Sequence, residues 1–286
     1  MVLESLISAF KAEQTPGRLF LLGALFCSVS IFLSLWIFKS QASLIMVFLT
    51  TSAAIPLIYN LIIMEEEKDL TGMEEKWLLK EHGKALKAFI YLFLGATVAF
   101  SFWYLVLSSS TTNVLFQAQT DTINSINGRV TGHISLQASV PFFAKIFFNN
   151  MKVLIFCLLF AFVFGSGAIF ILIWNASVIG TAIGNFMRVE ITAIAHLMGF
   201  DKIAHYFQII SIGLLRYSIH GIPEILSYFV AGLAGGIISI AIIRHDFGTK
   251  KFEQILLDSA DLILLSVGIL FLAAVLEVFV TPIIFH

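Results

Sequence analysis

The sequence predicts an all-α fold, a polytopic transmembrane helical bundle with six clear spans, a broken or re-entrant segment and interfacial amphipathic helices. Three observations predict it. Apolar residues make up 59% of the 286 and charged ones only 12%, with a mean hydropathy of +0.96, whereas ordinary globular domains are nearer half apolar and a quarter charged. Six runs, 19–38, 43–64, 86–108, 151–174, 221–243 and 261–284, reach the roughly 20 residues that a helix needs to cross about 30 Å of hydrocarbon. One of these runs carries polar side chains on a face of small residues.

Taken in order, residues 1–18 form a separate amphipathic unit. Leu3, Leu6, Ile7 and Phe10 recur at helical spacing, with Glu4, Lys11 and Glu13 on other faces, the pattern of a helix lying in the membrane interface. Thr15-Pro16-Gly17 then marks a break, with Pro16 suited to the first turn of the next helix. Residues 19–108 follow as a three-helix transmembrane part. Its first run is too long for a secretory signal and no small-residue cleavage site follows it. Within it, 65–87 is the most polar stretch. Five lysines (Lys68, Lys76, Lys80, Lys84, Lys87) stand among acidic residues and read as a solvated loop. Lysine enrichment in a short loop marks the cytoplasmic side, which also places the N-terminus there, in a cell membrane.

Residues 109–150 then form an extracytoplasmic loop. Asn127-Gly128 signals a turn, and Phe142, Phe143, Phe147 and Phe148 around Lys145 read as a short interfacial helix, or as a lid over an external cavity. Residues 151–286 are the C-terminal transmembrane part. Its difficult region is 175–219, apolar in two pieces and interrupted by Gly180, Gly184, Asn185, His205, Gln208 and Arg216. With or without a crossing there, ten Lys and Arg lie inside and seven outside, so the charge rule does not arbitrate. Irregular backbone at membrane depth is tolerated only where it lines a cavity or is buried in protein.

The helix from His220 to Ile243 carries the candidate site. At 100° per residue, His220, Glu224, Ser227 and Tyr228 share a face with Gly221, Ala231, Gly232 and Gly235, while Ile225, Phe229, Leu233 and Ile237 take the other. Small faces allow close helix packing in lipid, and Gly232 with Gly236 and Ala231 with Gly235 are small-xxx-small pairs. His220 and Glu224 are one turn apart and within mutual reach. Two readings stay open for them: capping and packing near a helix end, or a transport or gating role, since charges inside spans mark function by default. Glu277 reads as a residue near the headgroups. Cys27 and Cys157 sit in apolar runs and suit neither a disulfide framework nor zinc, the histidines show no ligand spacing, and no phosphate loop, nucleotide fingerprint or nucleophile elbow is present. No metal, no cofactor and no catalytic residue is therefore expected, and a net charge of −1 argues against nucleic acid.

A series of short motifs adds a resemblance. Phe147-Phe148-Asn149-Asn150-Met151-Lys152-Val153 leads into an apolar run with Phe164-Gly165-Ser166-Gly167. Asn175 and Gly180 follow, then His220-Gly221-x-x-Glu224 and Ala231-Gly232-x-x-Gly235-Gly236. In that order they resemble the stage II sporulation protein M (SpoIIM-like) family, over roughly residues 145–245. The family often has Asn-Gly after its fourth helix, and here Ala176 follows Asn175. The resemblance implies a non-enzymatic integral membrane protein and adds Asn149, Asn150 and Asn175 to the candidate intramembrane polar site. In spore formers such proteins are associated with septal membrane remodelling, in a complex with wall-degrading partners, and relatives occur in prokaryotes that make no spores. Two functions are carried forward: a membrane scaffold or remodelling component, and a channel or transporter using the polar face of the 220–243 helix. The expected partners are membrane lipids, a second copy of the chain in a homodimer, and envelope proteins.

Overall fold

The computed structural model describes residues 9–69, 75–127, 136–194, 199–244 and 248–284. Those residues are helical almost throughout, and seven helices are long and apolar enough to cross a membrane.

Helix α1 (Ala9–Gln14) is the described part of the N-terminal amphipathic unit, and residues 1–8 lie outside the description. Thr15 separates it from α2 (Pro16–Ile37), at the break the sequence indicates. Pro16 at the first turn costs α2 no hydrogen bond, because that amide has no partner within a helix. A short 3₁₀ turn, Lys39–Gln41, leads into α3 (Ala42–Asp69). Helix α4 (Glu75–Val106) returns beside α2. Their contact is closer than any side chain allows: a Cβ on Gly23 would overlap the Leu92 carbonyl oxygen, and one on Gly95 the Phe20 carbonyl oxygen. Ser30 and Ser34 in α2 turn their hydroxyls to carbonyls of their own helix at 2.7 and 2.8 Å, which satisfies them in an apolar setting.

The polar stretch 65–87 differs from the solvated loop expected of it. Helix α3 continues through Glu65 and Glu66, whose side chains are fully buried, and His82 near the start of α4 is buried too. Glu65 meets His82 Nδ1 at 2.7 Å and accepts from Lys68 Nζ at 2.6 Å; Lys68 also reaches Glu13 of α1 at 2.8 Å. The Arg244 guanidinium, at the far end of the polar-faced helix, donates to Glu66 and Glu67. The charges are buried because each is paired with another helix's charge, the condition under which burial is tolerated.

Two short helices cap the opposite end, α5 (Ser109–Leu115) and α6 (Gln117–Asn127). Ser108 caps α5 by accepting from the Thr111 amide. Gln119 is fully buried and holds α6 down: its amide donates to Ser177 Oγ at 3.1 Å and to the Ser43 carbonyl at 3.3 Å.

Helix α7 (Leu136–Phe164) then runs unbroken through Pro141 and Phe148. The residues expected to form a separate interfacial helix are its first turns. The expected span 151–174 is instead divided. Gly165 adopts φ +66°, and the chain reverses through Ser166 and Gly167 into α8 (Ala168–Ala193). Only glycine takes that backbone conformation without steric cost. Residues 175–193 therefore complete a full-length helix rather than forming half of a re-entrant pair. The other half of the expected break, 203–219, belongs to α9 (Gly199–Ile243), a continuous helix of 45 residues. At 1.5 Å per residue α9 is about 67 Å long, so only its Ile219–Ile243 part is counted as a span. That part is the most enclosed, with 83% of its apolar window buried against 22% for α7. It packs between α7, α8 and α10 (Lys250–Val275). A five-residue π segment, Leu276–Val280, and α11 (Thr281–Ile284) finish the last crossing.

The small-residue face of α9 explains its enclosure. A Cβ on Gly235 would lie 2.6 Å from the Leu158 carbonyl oxygen of α7, one on Gly232 2.9 Å from Ala168 Cβ of α8, and one on Gly236 2.9 Å from Ile62 of α3; Ala231 is fully buried beside them. Gly221, grouped with them by helical position, has nothing within 4 Å of where a Cβ would stand.

Candidate functional site: a mixed-charge cavity at membrane depth

A cavity of about 560 Å³ opens between α7, α9 and the π segment, lined by Phe142, Lys145, Asn149, Asn150, Lys152, Glu224 and Glu277, among others. Lys145, Asn149 and Lys152 recur at i, i+4 and i+7, so they stand on one face of α7. All three are exposed, and Asn150 beside them is 9% exposed. Glu224 and Glu277 are half-buried on the opposite wall. Every one of these positions lies inside a segment apolar and long enough to cross a membrane, with Lys152 midway along Val140–Phe164. Charges at that depth are costly unless they pair or meet water, and no ion pair joins the two lysines to the two glutamates among the described residues.

Local structure fixes the Glu224 carboxylate and sets the backbone position of Glu277. Tyr228, one turn along α9 and fully buried, donates its hydroxyl to Glu224 Oε1 at 2.8 Å. Ser227 donates to the Glu224 carbonyl at 2.6 Å, which stiffens the turn after Pro223. Glu277 sits in the π segment, where the chain carries one residue more per turn. Such bulges recur at functional sites. Thr281 caps it, donating to the Leu276 carbonyl at 3.0 Å while standing 3.4 Å from His220 Nδ1. An aromatic wall of Phe143, Phe147, Phe271 and Phe279 ties α7 to the last crossing behind these groups, with Phe143 to Phe271 centroids 5.4 Å apart.

The structure thus brings Asn149, Asn150 and Glu224 together, with Tyr228 bonded to the Glu224 carboxylate and Ser227 to its carbonyl, while His220 stands against Thr281 rather than on the cavity. Glu224 is bonded to Tyr228, rather than to His220 as its spacing allowed. Asn175 is not part of the group; its side chain donates to the Ile171 carbonyl in its own helix at 2.8 Å. Sequence reasoning missed Lys145, Lys152 and Glu277. The i, i+4, i+7 line through Asn149 was a usable signal, hidden by assigning Lys145 to an interfacial helix.

A comparison with protein-family models matches residues 88–282 to Stage II sporulation protein M, more than half of the chain. The chain belongs to the stage II sporulation protein M family. The family match begins in α4, well before the 145–245 stretch that carries the motifs, and takes in both walls of the cavity. No curated protein and no solved structure matches the chain. Family membership and the seven long apolar helices together make it a multi-pass membrane protein.

A second cavity, of about 370 Å³, lies between α4, α8 and α9 and is lined by apolar residues including Phe93, Leu105, Ile183 and Ile225. Beside it, Arg188 of α8 closes the bundle. Its guanidinium donates to the carbonyls of Tyr104, Leu105 and Leu107 and to Thr112 Oγ1, and stands 4.9 Å over the Tyr104 ring.

Proposed function

We propose that this member of the family is a membrane solute-binding and transport unit that works through the cavity between α7, α9 and the π segment, without catalysis. The observation that carries this reading is the set of two lysines, two glutamates and two asparagines facing one partly open space at membrane depth. A purely structural role for Glu224 needs only its tyrosine partner. It leaves Lys145, Lys152 and Glu277 on the same cavity without a reason. The lysine-rich junction of α3 and α4 supports a cytoplasmic N-terminus in a cell membrane, and seven crossings then set the cavity mouth toward the outside.

The test is reconstitution of the full chain into liposomes, with flux of protons, common ions and small zwitterions measured. Flux that is lost in Glu224→Gln, while the variant elutes as the wild type does in detergent, supports the reading. Absence of flux for every probe overturns it.

The second reading is an envelope scaffold. It is favoured by the cap, where Ser109, Ser110, Asn113, Gln117, Asp121 and Asn124 expose a polar surface on α5 and α6. It predicts that Asp121→Lys abolishes capture of an envelope protein and leaves flux unchanged.

A further inference from the structure

We infer that the cavity's ligand is a zwitterion carrying an ammonium and an anionic group, of the phosphoethanolamine type, with the ammonium against Glu224 and Glu277 and the anion against Lys145 and Lys152. The inference rests on the transport reading of the same site and names its ligand class.

Charge balance is the first argument. Two carboxylates and two ammonium groups line one space of about 560 Å³, so a ligand with a cationic end and an anionic end meets opposite charge at both. A simple cation would leave the lysines unpaired, and a simple anion would leave the glutamates so. Unpaired charges are costly at membrane depth.

Separation is the second argument. The lysines and the glutamates are on different helices across the cavity and form no ion pair with each other. Lys145 and Lys152 stand about 10 Å apart along α7 at 1.5 Å per residue, with Asn149 between them. That line presents two cations and an amide, and the amide can donate to a phosphate or carboxylate. The acids are half-buried and the lysines exposed, so the ligand's ammonium lies against the more buried wall and its anion against the exposed face of α7.

Two sources share this chemistry, a lipid headgroup and a soluble amino-phosphate. The experiment is calorimetric titration of the full chain with O-phosphoethanolamine, ethanolamine and inorganic phosphate. It is run in detergent, then in nanodiscs of phosphatidylethanolamine and of phosphatidylglycerol. O-phosphoethanolamine is expected to bind at least tenfold more tightly than either half-molecule. Glu224→Gln and the rim variant Lys145→Gln, which removes no buried contact, are each expected to weaken it at least tenfold. Competition by phosphatidylethanolamine discs alone assigns the site to the lipid headgroup, and equal binding in both discs assigns it to the soluble form. Ethanolamine or phosphate binding as tightly as the zwitterion overturns the inference, as does no binding or indifference to both variants. If Glu224→Gln still abolishes flux in that case, the transport reading survives and only the ligand class fails.

Discussion

Replacing Gly95 by alanine tests whether the α2–α4 contact is as close as described. The added methyl would overlap the Phe20 carbonyl oxygen and lie 2.9 Å from Phe20 Cα. These are backbone atoms, so no side chain can swing away, and the helices must move apart along their whole contact. Overpacking of this kind costs about 1–3 kcal/mol, offset by the roughly 1 kcal/mol that alanine gains over glycine in helix propensity. The larger of these costs leaves a net loss of about 2 kcal/mol, near a 30-fold change in an equilibrium constant. Gly83→Ala is the matched control: it has nothing within 4 Å, so only the propensity gain remains and stability should hold or rise. The assay is thermal unfolding in detergent, followed by the monodisperse fraction after heating. A Gly95→Ala melting point at or above that of Gly83→Ala would refute the close contact.

Three further outcomes follow from the same structure. Arg188→Met should lower the melting point, because it removes donors from three carbonyls and from Thr112; charge-assisted bonds are worth about 1.5–3 kcal/mol each and do not add. Arg188→Lys should fail to restore it, since an ammonium cannot reproduce the guanidinium's planar spread of donors. Gln119→Leu leaves Ser43 and Ser177 without their buried partner, at about 1–3 kcal/mol, and α6 should become the first site of limited proteolysis. Glu13 is held up to about 7 by burial and then by the neighbouring Glu65. A raised acid is stabilising below its unfolded value and loses that contribution as pH climbs through the folded one. Hydrogen-exchange protection of α1 should therefore decline between about pH 5 and pH 8, and Glu13→Gln should flatten the decline.

Most of the bundle was legible from run length alone, because lipid makes helix the obligatory state of an apolar segment. The reversal at Gly165 was not. Phe164-Gly165-Ser166-Gly167 is only four residues, and the apolar run is continuous across it, so hydropathy saw one span where backbone freedom at a single glycine makes two. The length of α9 was hidden for the opposite reason. His205, Gln208 and Arg216 interrupt hydropathy without interrupting helix. Buried Glu65, Glu66 and His82 were misread because their partners, Lys68, Glu13 and Arg244, include residues far away in sequence. The cavity shares that difficulty. Glu224, Asn149 and Asn150 stand out singly, but their meeting with Glu277 requires three segments to pack. Composition carries no information on that.

A transport role requires that Glu224 face a cavity that a solute can enter. With Cys27 and Cys157, both buried, replaced by alanine, Asn150→Cys and Gly232→Cys should be compared for labelling by a membrane-impermeant thiol reagent in intact liposomes. Cysteine at 150, on the cavity, should label from one side of the membrane, and O-phosphoethanolamine should slow it. Cysteine at 232, against Ala168, should not label. Equal, negligible labelling at both positions would contradict the account.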